Sequence, residues 1–192
     1  TGSFDPNDKQ GMPFGVKSEH FIPLDQPIEY MIRFQNTGTD TAFTVIVRDT
    51  LDPELNINSI RPLGSSHPYT FNLSGQGVAQ FVFTNIMLPD SNINEVASHG
   101  FVKFTISPKA SLAEGTNIEN KAAIYFDFNE PVITNTTWHT LGIRYLLESN
   151  VLFDPEIGLE VFPNPTTDAV NFTLKSPVPL YGLLEILDVN GK

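Results

Sequence analysis

Cysteine is absent from this 192-residue chain and tryptophan occurs once. Without thiols, disulfide scaffolds, zinc ribbons and thiol catalysis are excluded, and a chain this long buries a sizeable core without staples. Basic residues are scarce: 11 Lys and Arg stand against 22 Asp and Glu, a formal net charge of −11. That charge repels polyanions, so nucleic acid and anionic membrane surfaces are poor partners, whereas divalent cations and basic surfaces suit it. No apolar run approaches the ~18 residues of a membrane helix, so no membrane insertion is expected. Thr1 to Asp5 carries neither an initiator Met nor a signal segment and reads as the interior of something longer.

Helical periodicity is also nearly missing, and period-two alternation takes its place. From Ile28 to Phe34 the apolar set Ile28, Tyr30, Ile32 and Phe34 alternates with Glu29, Met31 and Arg33. One face therefore belongs in a core and the other near solvent. Asn36 to Asp40 reads as a turn, Phe43, Val45 and Val47 as the return strand of a hairpin, and Asp52-Pro53 as its stop. Further runs span His67 to Leu73, Val78 to Ile86, Gly100 to Ile106, Asn117 to Phe128 and Val132 to Thr140, separated by Gly-, Pro- and Asn-rich turns. The spacing predicts seven to nine strands before residue 140, in an all-β, immunoglobulin-like antiparallel β-sandwich over residues 1–145. Tyr30, Ile32, Phe34, Val45, Ile124 and Phe126 are candidate core. Residues 146–158 read as a linker, and 159–192 as a second, incomplete β-sandwich module. There Val170, Phe172 and Leu174 alternate, and Asn190-Gly191 is a hairpin turn with no partner strand after it.

Two stretches carry resemblances. Arg33 to Ala42, Arg48 to Asp52, and Ile124 to Val132 resemble a domain of uncharacterised function from large bacterial cell-surface proteins. That resemblance implies an immunoglobulin-like stalk or spacer. Phe162 to Asp168, Val170-Asn171-Phe172 and Leu187 to Lys192 resemble the type A C-terminal sorting domain of the type IX secretion system. It implies export across the bacterial outer membrane to the surface or medium, recognition by the type IX translocon and its outer-membrane shuttle protein, and a sorting signal resting on Pro163, Asn164, Pro165, Asp168 and Gly191.

Candidate chemistry is sparse. Asp5, Asn7 and Asp8 place oxygen ligands on a Pro-stiffened loop, and Asp127 and Asn129 form a second oxygen-rich segment; together they would hold one Ca²⁺, while Asx-turns are the plain alternative. His20, His67, His99 and His139 lack ligand spacing. Ser65-Ser66-His67 has no nucleophile elbow, and Asp52 with Glu54 is one arbitrary carboxylate pair among many. Trp138, Tyr69 and Tyr125 are candidates for a sugar-stacking platform or for core. Lys17, Glu29 and Asn135 are a candidate set for an isopeptide crosslink of the kind found in some surface-adhesin sandwiches. Asp40-Thr41-Ala42 and Asp49-Thr50-Leu51 resemble an O-glycosylation acceptor. The sequence thus points to a non-enzymatic surface spacer with a sorting tail, and leaves open a module binding a surface glycan or protein and an accessory domain of a larger enzyme.

Overall fold

Alternation becomes strand in the computed structural model, which describes residues 6–75, 77–142, 158–162 and 171–175. The chain divides into two units, Thr1–Glu148 and Ser149–Lys192. In the first, one sheet has the order β1-β3-β8-β5, made of β1 (Lys9–Met12), β3 (Ile28–Gln35), β8 (His99–Ile106) and β5 (Arg61–Ser65), with β2 (Phe21–Ile22) lying elsewhere. The second sheet is β11-β10-β4-β7-β6, from β4 (Ala42–Thr50), β6 (Thr70–Ser74), β7 (Val78–Leu88), β10 (Ala122–Phe126) and β11 (Val132–Ile133). A third, small sheet places β12 (Thr137–Leu141) between β2 and β9 (Asn117–Asn120). This is the expected antiparallel immunoglobulin-like sandwich, with β2 and β12 as a parallel exception.

Inward residues of the two large sheets interlock. The Phe34 ring lies 5.3 Å from Phe83 and 6.4 Å from Phe126 in the opposite sheet, and Phe81 stacks on Phe104 at 5.5 Å. Edge and offset contacts of this kind add to the burial term that dominates such a core. All six candidate core residues are buried. Gly100 pairs with Phe34, and a Cβ at residue 100 would meet that ring at 2.2 Å; glycine is what lets the aromatic lie flat on its neighbour strand.

Three expectations are corrected. The turn after β3 does not make a hairpin, because β3 pairs with β1 and β8 while β4 pairs with β7 and β10. Asn36 is the reason: its buried amide donates to the carbonyls of Asp40 and Leu88 and accepts from Gly38 N, which carries the chain from one sheet to the other. The run 117–128 breaks into β9 and β10, and 132–140 into β11 and β12, because Thr134 bonds the Ala122 backbone through both its N–H and its hydroxyl. Twelve strands result where at most nine were expected; β1, β2 and β5 are too short or Pro-interrupted to show alternation.

Direction along the sandwich follows from register. β1 runs antiparallel to β3 with Lys9 level with Ile32 and Met12 with Glu29, and Asn7 accepts from Gln35 N beyond it. β12 follows the same path: Asn135 bonds both backbone groups of Lys9, His139 Nε2 donates to Pro13 O at 3.0 Å, and Gly142 N reaches Ile22 O. The described residues of this unit therefore run from Asn7 at the Gln35 end of β3 to Gly142 at its Ile28 end.

In the second unit, β13 (Gly158–Phe162) and β14 (Asn171–Lys175) form an antiparallel ladder.

Candidate functional site

Among the polar side chains that break the apolar alternation at inward positions, three belong to one cluster. Lys9 opens β1, Asp49 follows Val45 and Val47 on β4, and Asn120 follows Ile118 on β9. Their exposures are 1%, 0% and 2%. Lys9 Nζ donates to Asp49 Oδ2, and it lies 4.3 Å from the Tyr30 ring centroid and 5.5 Å from that of Phe104. The backbone brings the three together. Asn135 clamps Lys9 N and O at 2.9 Å each, Thr134 holds Ala122, and Thr137 pairs with Asn120, its hydroxyl donating to the Asn120 carbonyl at 3.1 Å. One short segment, 134–137, thus fastens β1 beside β9.

Electrostatics at this site are dominated by desolvation. Burial lowers the pKa of Lys9 and raises that of Asp49, each opposed by the attraction of the other. Both shifts lower the cost of moving the proton from amine to carboxylate. Burial, followed by the Asp49 charge, drives the Tyr30 phenol far up, so it stays protonated. Asn120 stands close enough to influence both Asp49 and Tyr30, yet neither its amide oxygen nor its nitrogen makes a hydrogen bond of ordinary geometry. Asp49 Oδ1 and the Tyr30 hydroxyl also lack one. Unmet buried polar atoms cost about 1–3 kcal/mol each, so four of them around one buried ion pair is an expensive arrangement.

The residues expected to bind Ca²⁺ have other partners. Asp5 lies outside the described residues. Asn7 accepts from Gln35 N, and Asp8 is held by Arg33 Nε and Nη2, both at 2.6 Å. Asp127, at φ 51, accepts from Phe43 N and Thr44 N across the bulge that opens β4, and Asn129 N donates to Phe126 O in the same turn. Among the described residues no three His, Asp or Glu side chains gather as a metal site. Pro163, Asn164, Pro165, Asp168 and Gly191 lie outside the described residues.

The crosslink set read from the sequence does not assemble. Lys17 sits on an exposed turn, Glu29 accepts from Lys103 at 2.9 Å, and Asn135 serves the Lys9 backbone. Asp49, part of a glycosylation match, is in the core. Asp52 caps Glu54 N and Glu119 N, and the Ser66–His67 contact is exposed. Trp138 is 43% exposed and packs on His20 at 4.8 Å, beside a cleft of about 220 Å³ that Phe14 and His139 also line. Tyr69 instead packs on Phe81 and Phe83. What sequence reading missed is the Lys9, Asp49 and Asn120 cluster. Its signal was available for Asp49, a charge in the inward register of Val45 and Val47.

The family described as "Domain of unknown function (DUF7619)" matches residues 5–140. No curated protein matches the chain. Among solved structures, BcpA, the major pilin subunit of Bacillus cereus, is similar with TM-score 0.47 and 13% identity over 70% of this chain and 39% of that one. A collagen-binding domain from a Staphylococcus aureus adhesin gives 0.41 and 10% over 74% of this chain and 100% of that one. The Corynebacterium diphtheriae major pilin SpaA, whose description names isopeptide bonds in its own pilus assembly, gives 0.45 and 10% over 70% and 38%. This chain therefore spans well under half of either pilin, and at these identities the likeness concerns the fold alone.

Proposed function

We propose, for a chain that belongs to the DUF7619 family of domains of unknown function, that residues 5–140 serve as a non-catalytic spacer in a bacterial cell-surface protein. The observation that carries this is the path of the described residues, which begins with Asn7 at the Gln35 end of the β3 axis and reaches Gly142 at the Ile28 end. A sandwich threaded end to end transmits a pull along its strands and adds length between whatever precedes and follows it. Tension along antiparallel strands loads many ladder hydrogen bonds together in shear. The full chain, flanked by reference domains in single-molecule force spectroscopy, is expected to unfold after those references; extension at lower force would refute the spacer reading.

Export belongs to the same proposal. The motif from Phe162 to Asp168 supports sorting by the type IX translocon and its shuttle protein, with Pro163, Asn164, Pro165, Asp168 and Gly191 as the address. Secretion of a reporter fused to residues 149–192 in a type IX-competent host tests it, and retention in the periplasm would refute it.

A second reading has its own observation. The exposed Trp138, tilted against His20 beside a cleft, offers a face for a sugar ring or an aromatic side chain of a surface protein. Glycan-array binding lost on Trp138→Ala would favour it over the spacer alone.

A further inference from the structure

We propose that Lys9 and Asn120 form an intramolecular amide bond, assisted by Asp49, which ties the first strand of the sandwich covalently to β9. This rests on the buried cluster and stands whether or not the module is a spacer. Lysine, aspartate and asparagine side chains, each at most 2% exposed, occupy inward positions of β1, β4 and β9. Lys9 Nζ lies on Asp49 Oδ2, with the Tyr30 and Phe104 rings covering it. Segment 134–137 positions β1 and β9 together by backbone hydrogen bonds to Lys9 and to Asn120.

A merely structural ion pair would be completed by hydrogen bonds, and this one is not. Asp49 Oδ1 and both Asn120 amide atoms make no hydrogen bond of ordinary geometry, although Asn120 stands close to Asp49 and Tyr30. The missing bonds are those a reaction would supply. Burial eases proton transfer from the Lys9 ammonium to the Asp49 carboxylate, with which it is in hydrogen-bond contact, and the transfer leaves a nucleophilic amine beside an acid.

The step balances without any oxidant or cofactor. Lys9 Nζ attacks Asn120 Cγ and forms the C–N bond; the carbonyl electron pair moves to Oδ1, where the Asp49 O–H stabilises it. A proton leaves Nζ for Asp49 as Asp49 passes one to Nδ2. The Cγ–Nδ2 bond breaks, the carbonyl re-forms and ammonia departs. Asn120 also lines an open groove of about 490 Å³, which gives ammonia a way out. The product holds no buried cation, and the protonated Asp49 donates to the new amide carbonyl. Proximity supplies most of the rate, since amine and carboxamide are held by the fold.

Mass spectrometry of the full chain decides the matter. The intact mass is expected to fall below the sequence mass by one ammonia. A succinimide at Asn190-Gly191 would lose the same ammonia, so the deciding readout is the tryptic digest. A branched species joining residues 1–17, uncut after Lys9, to residues 110–121 establishes the bond. Linear 110–121 with full cleavage after Lys9 overturns it. Lys9→Met and Asn120→Ala are expected to abolish the branched species. Asp49→Asn, checked for a native β circular-dichroism spectrum, is expected to stay unlinked; a linked Asp49→Asn protein would overturn the role of Asp49. If that variant fails to fold, the digest of the unaltered chain still decides whether the bond exists.

Discussion

Replacing Asn120 by leucine changes stability in opposite directions according to whether the bond to Lys9 exists. Leu is close in size to Asn and fills the inward position on β9 without a large cavity. In an unlinked sandwich the substitution removes two buried polar atoms that make no hydrogen bond of ordinary geometry. Relieving them is neutral or stabilising by about 1–3 kcal/mol. In a linked sandwich the same change opens a loop running from residue 9 to residue 120. Closing a loop of about 110 residues restricts the unfolded chain by about 4.7 kcal/mol. For a domain of this size each kcal/mol moves the melting temperature by about 2–4 °C, so the linked protein loses roughly 10–20 °C. Differential scanning calorimetry of the unaltered chain and Asn120→Leu at equal concentration gives the sign directly. A melting temperature that holds or rises on substitution would refute the covalent tie and the reasoning from the orphaned amide.

Three further outcomes are expected. Gly100→Ala places a methyl 2.2 Å from the Phe34 ring and should destabilise by about 1–3 kcal/mol, with Phe34→Leu in the same chain recovering part of it in a double-mutant cycle by urea melts; equal and additive losses would contradict the clash. Burial holds the pKa of His139 below the usual histidine range, so the unfolded chain takes up a proton first: stability is full above that range and falls as pH drops through it, and His139→Gln should flatten the melting temperature between about pH 7 and 5. Because Asp8 is held by Arg33 and Asp127 by two backbone N–H groups, EDTA and millimolar Ca²⁺ should leave thermal melts unchanged; a Ca²⁺-specific rise lost in both Asp8→Asn and Asp127→Asn would restore the shared ion site.

The alternation in Ile28 to Phe34, in Val45 to Val47 and in Ile124 to Phe126 determined the fold class and six core residues, because the side-chain period of a strand is a local property of the backbone; Phe43, which the same alternation would turn inward, is exposed at the bulge that opens β4. Acidity and the absence of cysteine likewise followed from composition. Sheet membership did not. Whether β3 and β4 pair or face each other depends on where the Asn36 amide finds its acceptors, and one of them, Leu88 O, lies 52 residues away. The break at Lys121 depends on Thr134, which no local pattern announces. The candidate site was legible only in outline: an inward charge at Asp49 could be read from its register after Val45 and Val47, but its partners could not. Lys9 sits on a four-residue strand too short to show a period, and the crosslink set read from the sequence was Lys17, Glu29 and Asn135. Only the packing of β1 on β12, which pairs with β9, brings one amine, one carboxyl and one carboxamide to one buried cluster, because that contact is made by residues more than a hundred positions apart.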